Sequence, residues 1–117
     1  MSYYIYLAAP TTGASMPLHR KPGEPDTGGA PRAHMEVSYR YSELHRKAFG
    51  NDHGLHSICG LTGTESLPVL NSAMAALGVD ADPELWATTE GNAREILVRL
   101  HKMAGLAPDG VWRADST

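Results

Sequence analysis

The chain has 117 residues, of which 42% are hydrophobic and 20% are charged, and its formal net charge is −3. This length fits one domain with a modest core, and the composition excludes a chain that is disordered throughout. The acidic balance argues against nucleic acid as a partner, since phosphate binding needs a basic surface, and no apolar run approaches the ~20 residues of a membrane span.

The cysteine content indicates a reducing compartment. Cys59 is the single cysteine of the chain, so no intramolecular disulfide can form. We expect its side chain to act as a small apolar residue in the core. The apolar start, Met1–Pro10, has no basic region ahead of it and does not match a secretory signal, so we predict a cytoplasmic protein.

The N-terminal part predicts two paired strands with a long connection. Ser2–Ala8 is rich in Tyr and Ile, which favours a strand. Thr11–Ala33 is rich in Pro and Gly and has no hydrophobic period, so we interpret residues 11–33 as a long loop. Met35–Tyr41 alternates apolar and polar residues, as a half-buried antiparallel strand does. We expect it to pair with Ser2–Ala8.

A short helix and a glycine-punctuated loop are predicted next. Ser42 is a candidate N-cap for a helix that ends at Phe49, and Gly50 follows it as a C-cap. Asn51–Gly63 contains several glycines, so it predicts a loop. Within that loop we expect a short extended piece at Leu55–Ile58.

Two longer helices are predicted in the C-terminal half. Thr64 is the candidate N-cap of the first and Gly78 its C-cap, whereas Thr89 caps the second and Gly105 ends it. Each helix carries apolar residues at helical spacing. These are Leu67, Leu70, Met74 and Leu77 in the first, and Ala93, Ile96, Leu97, Leu100, Met103 and Ala104 in the second.

The remaining signals complete a fold class. Asp82-Pro83 predicts a single helical turn, and Val111–Ala114 predicts a last strand after a turn. The order strand, strand, short helix, helix, helix, strand indicates an α+β fold. We predict one domain over residues 1–117, with a small antiparallel sheet of about three strands, two main helices packed on one face, and Trp86 and Trp112 in the core.

Several segments together resemble one protein family. They are a strand ending in Tyr39-Arg40-Tyr41-Ser42, the segment GLHSICGLTGTESLP, the helical segment LWATTEGNAREILVRLHKMA and the C-terminal PDGVWRAD. The chain from Met35 onward resembles a family of small uncharacterised proteins from tailed phages and from actinobacterial and other bacterial genomes. Arg40 stands where that family has Asn, and Glu90 where it has Pro. The resemblance implies a phage or mobile-element origin and no known chemistry.

A polar cluster after the second strand predicts a ligand site. Hydroxyl and imidazole groups there would contact a small polar or phosphorylated ligand, and an arginine would supply charge. The alternative is an aromatic face that packs in the core beside a solvated arginine. The candidate ligand-binding residues are Tyr39, Arg40, Tyr41, His45, His53 and His56.

Two other patterns are weaker. Asp52, His53, His56 and Cys59 are all potential zinc ligands, but their spacing is not that of a standard zinc module, and a polar surface loop is the alternative. Gly60–Thr64 precedes a helix but lacks the lysine of a phosphate-binding loop, so we exclude nucleotide hydrolysis. We predict no catalytic residue, no metal and no cofactor.

These observations favour a non-enzymatic accessory protein that acts by protein–protein interaction with a host or viral partner in the cytoplasm of the bacterial host. A long loop and an exposed edge strand would suit docking, and a homodimer would cover a sheet edge. One alternative is a protein that binds or sequesters a small molecule or nucleotide. A second is a metal site or hydrolase based on His45, His53 and His56.

Overall fold

The computed structural model describes residues 2–15, 33–78 and 88–116, and these ranges form an α+β fold. The strands are β1 (Ser2–Ala8), β2 (His34–Ser38) and β3 (Val111–Ser116). The α-helices are α1 (Ser42–Phe49), α2 (Gly63–Ala75) and α3 (Glu90–Leu106), and Tyr39–Tyr41 and Gly54–Ile58 are 3-10 helices. The sheet is antiparallel with the order β2-β1-β3, so the predicted fold class is confirmed.

The central strand β1 has one buried face and one open face. Tyr3, Ile5 and Leu7 are buried, and the residues between them are partly exposed. The register places Val37 opposite Tyr3 and Trp112 opposite Leu7, and both partners are buried. Because side chains alternate along a strand, the same face of all three strands contributes to the core.

Helices α2 and α3 pack against each other and share the core with the buried face of the sheet. Leu70 of α2 and Leu97 and Leu100 of α3 are fully buried in this core. The two helices approach closely at Gly63, where a Cβ atom would lie only 2.8 Å from the carbonyl oxygen of Ala107. Only glycine fits at that position without a shift of the backbone.

A buried pair of hydrogen bonds joins β3 to the first turn of α2. The indole Nε1–H of Trp112 donates to the hydroxyl of Ser66 over 2.7 Å. That hydroxyl donates in turn to the carbonyl oxygen of Gly63, also over 2.7 Å. Buried polar groups need such partners, so this chain of hydrogen bonds allows a polar serine and an indole N–H in the core.

The second strand is shorter than predicted. We expected a strand over Met35–Tyr41, but β2 ends at Ser38, whose hydroxyl accepts a hydrogen bond from the Arg40 N–H. The chain then turns into a 3-10 helix. Tyr39 and Tyr41 therefore do not share a strand face: Tyr39 is 40% exposed and Tyr41 only 7%.

The region around α1 differs from prediction at its start and agrees at its end. Ser42 lies inside the helix, and the N-cap position is Tyr41, which makes no side-chain capping bond. Gly50 ends the helix at φ 70°, a left-handed conformation that favours glycine, so the predicted C-cap is confirmed. The extended piece expected at Leu55–Ile58 is wrong, since Gly54–Ile58 forms a 3-10 helix.

The N-cap of helix α2 lies two residues before the predicted one, Thr64. Thr62 is the N-cap, because its hydroxyl accepts from the Glu65 N–H while the Glu65 carboxylate accepts from the Thr62 N–H. Gly78 was predicted as the C-cap, but the helix ends at Ala75. The Gly78 N–H instead donates to the Glu90 carboxylate over 3.2 Å.

Helix α3 matches its predicted cap. The Thr89 hydroxyl accepts from the Asn92 N–H over 3.1 Å, and the helix continues to Leu106, one residue past the predicted end at Gly105. The carboxylate of Glu90 in its first turn also accepts from Lys47 over 3.1 Å. Both hydrogen bonds lower the pKa of Glu90, and the one from the Gly78 N–H has the larger effect.

Some predictions lie outside the described residues. They concern most of the long loop 11–33, the turn at Asp82-Pro83, and Trp86. Residues 9–15 are described and form a turn with Gly13 at φ 74° and a bridge from Ser15 back to Ala8. The core position of Trp112 is confirmed. No helix within the described ranges is long and apolar enough to cross a membrane.

Candidate functional site

Two of the predicted ligand-binding residues contact the same core tyrosine. The ring of Tyr39 lies 5.2 Å from the ring of Tyr3, centroid to centroid, and the ring of His56 lies 4.7 Å from it. Burial, followed by the nearby Tyr39, raises the pKa of the Tyr3 phenol. The phenol of Tyr3 therefore stays protonated at neutral pH, and this group of rings acts as packing at the end of the sheet.

Another pair of predicted residues is buried. The ring of His45 lies 6.1 Å from that of Tyr41, and its Nε2–H donates to the Ala93 carbonyl oxygen over 3.3 Å. Burial lowers the pKa of His45 to about 4, partly opposed by that hydrogen bond. His45 is thus a neutral core residue that joins α1 to α3. Its Nδ1 atom is buried and has no hydrogen-bond partner among the described residues.

The remaining predicted residues lie on the surface. Arg40 and His53 are both exposed. His53 belongs to a turn organised by Asn51, whose side-chain oxygen accepts from the N–H groups of His53 and Gly54 and from the hydroxyl of Ser57. This amide explains the course of the loop without a ligand.

The potential zinc ligands do not converge. Within the described ranges no three His, Cys, Asp or Glu side chains lie close enough together to hold a metal ion, and Asp52 and His53 point to solvent. Cys59, which we expected in the core, is exposed. Its surroundings nevertheless raise the pKa of the thiol by desolvation, so it is not an activated nucleophile at neutral pH.

The hydrogen bonding of the sheet shows which way each residue of β2 directs its backbone. The Leu7 N–H donates to the Ala33 carbonyl over 2.9 Å, one step beyond the register pair Tyr6–His34. Hydrogen-bonded pairs alternate along antiparallel strands. Met35 therefore also directs its N–H and C=O toward β1, whereas its two neighbours direct theirs away from it.

The outer edge of β2 is consequently open within the described ranges. His34, Glu36 and Ser38 direct their backbone N–H and C=O groups away from β1, and no further strand of the described ranges pairs with this side. The opposite edge of the sheet is partly covered, because both backbone groups of Trp112 in β3 are hydrogen-bonded to residues 60–61, at 2.9 Å each. The β2 edge is the more accessible of the two for an added strand.

A groove runs beside this edge, between β2 and α3. It has a cavity volume of about 240 Å³, and Met35, Ile96 and Tyr41 give it an apolar side. Glu95 and Arg99 line its outer part and form an i,i+4 ion pair over 3.8 Å. A strand added to β2 would direct every second side chain into this groove.

The open face of the sheet carries the side chains that alternate with the buried ones. The rings of Tyr4 and His34 are stacked with centroids 4.7 Å apart, and the Ser2 hydroxyl donates to the Glu36 carboxylate over 2.6 Å. On the other side of β1, the Tyr6 hydroxyl donates to Asp115 over 2.9 Å. These cross-strand contacts hold β2 and β3 in register with β1.

Comparisons with protein-family models, with curated proteins and with solved structures return no match to this chain. The site is therefore defined by its geometry alone. We call it the β2 edge: the outward backbone of His34–Ser38 together with the groove formed by Met35, Ile96, Glu95 and Arg99.

The sequence contained part of the signal for this site. The alternation from Met35 onward predicted a strand with Glu36 on its polar side, and an exposed edge strand was expected somewhere in the sheet. Which strand lies at the open edge depends on the strand order. Ile96 and Arg99 could be assigned to a helix but not to this groove, since the contact of α3 with β2 is long-range.

Proposed function

We propose that this chain is a non-enzymatic accessory protein of phage or mobile-element origin that binds a host or viral protein, and that the contact is made at the β2 edge. The partner contributes an extended segment that continues the sheet beyond β2. The interaction takes place in the cytoplasm of the bacterial host. One observation carries this proposal: β2 directs backbone donors and acceptors outward, next to a groove that takes alternate side chains.

The supporting physics is that of strand addition. Main-chain hydrogen bonds to His34 and Glu36 supply affinity for any extended segment, whatever its sequence. Selectivity comes from the groove, where Met35 and Ile96 favour an apolar side chain. The predicted polar residues support catalysis poorly, since His45 is buried with its pKa lowered to about 4.

The test compares two substitutions at one position. Glu36→Pro removes the outward N–H of Glu36 and leaves the hydrogen bonds from β2 to β1 intact, because those involve Met35 and Val37. Glu36→Ala removes the same carboxylate and keeps the N–H, so it is the matched control. Wild type and both variants are used as bait in a lysate of a bacterial host, and bound proteins are identified by mass spectrometry.

We expect a partner that binds the wild type and Glu36→Ala but not Glu36→Pro. Circular dichroism melting of the three proteins checks that each is folded. A partner retained equally by all three, or no specific partner at all, contradicts strand addition at this edge.

A further inference from the structure

The β2 edge is complementary to itself. A second strand added antiparallel to β2 can hydrogen-bond only to His34, Glu36 and Ser38, because only these residues of β2 direct their backbone outward. If that strand is β2 of another copy, a two-fold axis passes beside one residue of β2. The position of this axis decides which side chains meet.

An axis beside Met35 gives favourable pairs at His34, Met35 and Glu36. His34 then lies opposite Glu36 of the second copy, and Glu36 opposite His34, so two pairs of opposite polarity form on the open face. An imidazole N–H donates to a carboxylate whether or not the ring is protonated. Met35 meets Met35 of the second copy on the groove side, beside Ile96, which is already buried.

The next two positions of the axis along β2 are worse. An axis beside Glu36 places two carboxylates directly opposite each other, which is destabilising. An axis beside Val37 uses a residue that is already buried and extends the pairing past Ser38, where the chain turns into a 3-10 helix. The register about Met35 is therefore the one in which charge and shape agree.

We propose that a second copy of this chain occupies the β2 edge, pairing antiparallel about Met35 to form a six-stranded sheet. The inference rests on the proposed function, because it uses the same edge. A host or viral strand must then displace the second copy, so self-association and partner binding exclude each other. Self-pairing also covers an edge that would otherwise invite aggregation.

The proposed dimer is small. The two β2 strands overlap over three residues, 34–36, and the grooves add limited area, and interfaces of that size are weak and concentration-dependent. Sedimentation of the full chain over a range of concentrations should show a reversible monomer–dimer equilibrium. Glu36→Pro loses one hydrogen bond on each side of the axis, which corresponds to a dissociation constant roughly 30-fold higher.

Cysteine cross-linking tests the register directly. In a Cys59→Ser background, Met35→Cys places two Cβ atoms roughly 4.5–5.5 Å apart in a pair without backbone hydrogen bonds, close enough for a disulfide after small adjustment. We expect mild oxidation to give a covalent dimer. His34→Cys in the same background is the control. In the proposed register, position 34 of one copy lies opposite Glu36 of the other and not opposite position 34, so this variant should stay monomeric.

A charge exchange gives a second test that needs no cysteine. His34→Glu brings carboxylates together and should raise the dissociation constant about tenfold or more. The double variant His34→Glu, Glu36→His restores complementary pairs and should restore the dimer. If the single variant failed to dimerise because it was misfolded, the second substitution would not restore the dimer. Recovery of the dimer in the double variant therefore points to the pairing of residues 34 and 36.

The outcomes separate this inference from the proposed function. A wild type that sediments as a monomer at every concentration, or cross-linking by His34→Cys in place of Met35→Cys, overturns the self-pairing. If Glu36→Pro still loses a lysate partner that Glu36→Ala retains, strand addition by another protein stands alone. If the lysate comparison also shows no difference, both proposals fall.

Discussion

His45 predicts a specific loss of stability in acid. Its side chain is buried, and burial lowers its pKa from 6.5 to about 4, while the hydrogen bond to Ala93 opposes part of that change. In the unfolded chain the imidazole is exposed and binds its proton near the ordinary pKa. Acid therefore favours the unfolded chain over the fold.

The sign and size of this loss of stability follow from the linkage between proton binding and folding. Because the folded-state pKa is lowered, the stability linked to His45 is intact above pH 6.5, falls as the pH drops from 6.5 toward about 4, and changes no further below that. Each pH unit across this window is worth about 1.4 kcal/mol, so the full loss is about 3 kcal/mol. A loss of that size is a large part of the stability of a small domain.

The assay is urea unfolding at pH 7.5 and at pH 4.5, followed by circular dichroism, for the wild type and His45→Gln. Glutamine does not titrate, and its amide N–H is able to donate to the Ala93 carbonyl. Carboxylates elsewhere titrate alike in both proteins and cancel in the difference. We expect the wild type to lose about 2–3 kcal/mol more than the variant between the two pH values. Equal pH dependence would refute the argument, since it would mean that His45 accepts a proton inside the fold.

Three further predictions concern packing and capping. Ser66→Ala leaves the buried Trp112 N–H without its acceptor, and should lower the free energy of unfolding by about 1–3 kcal/mol and alter tryptophan fluorescence; an unchanged urea midpoint would contradict this. Gly63→Ala brings a Cβ to 2.8 Å from a backbone oxygen and should lower the free energy of unfolding, measured by thermal melting, by about 1–3 kcal/mol. Gly105→Ala, whose Cβ meets nothing within 4 Å, should instead stabilise α3 by up to about 1 kcal/mol. Equal effects of the two substitutions would count against the close helix contact at Gly63. Thr62→Ala removes the N-cap of α2 and should cost about 1 kcal/mol in the same melts, and no loss would show that this cap is unimportant.

Local signals in the sequence predicted most elements of the fold. Thr89 was recognised as a cap and Gly50 as a helix stop because each acts on the backbone within a few residues of itself. The error at α2 came from the same kind of signal: Thr62 and Thr64 are both good caps, and Thr62 has the partner Glu65 three residues later. The capping-box spacing would have selected it.

The positions of the predicted site residues depend on a different kind of information. Tyr39 and Tyr41 continued the alternation of β2, but Ser38 turns the chain, and the two rings then pack in different places. His45 looked available as a base, yet its position under α3 makes it a neutral core residue. Burial depends on contacts between segments far apart in the sequence, and a local pattern does not contain them.

By itself the sequence determined that β1, α1, α3 and a last strand form, since hydrophobic period and capping residues act over a few positions. Only the tertiary structure decided the site. Because β3 returns from the end of the chain to pair with β1, β2 is left at the edge, and its polar residues direct their backbone outward. Strand order is set by the packing of distant segments. The local pattern around Met35 and Glu36 predicts a strand, but only the tertiary structure shows that this strand lies at the edge of the sheet.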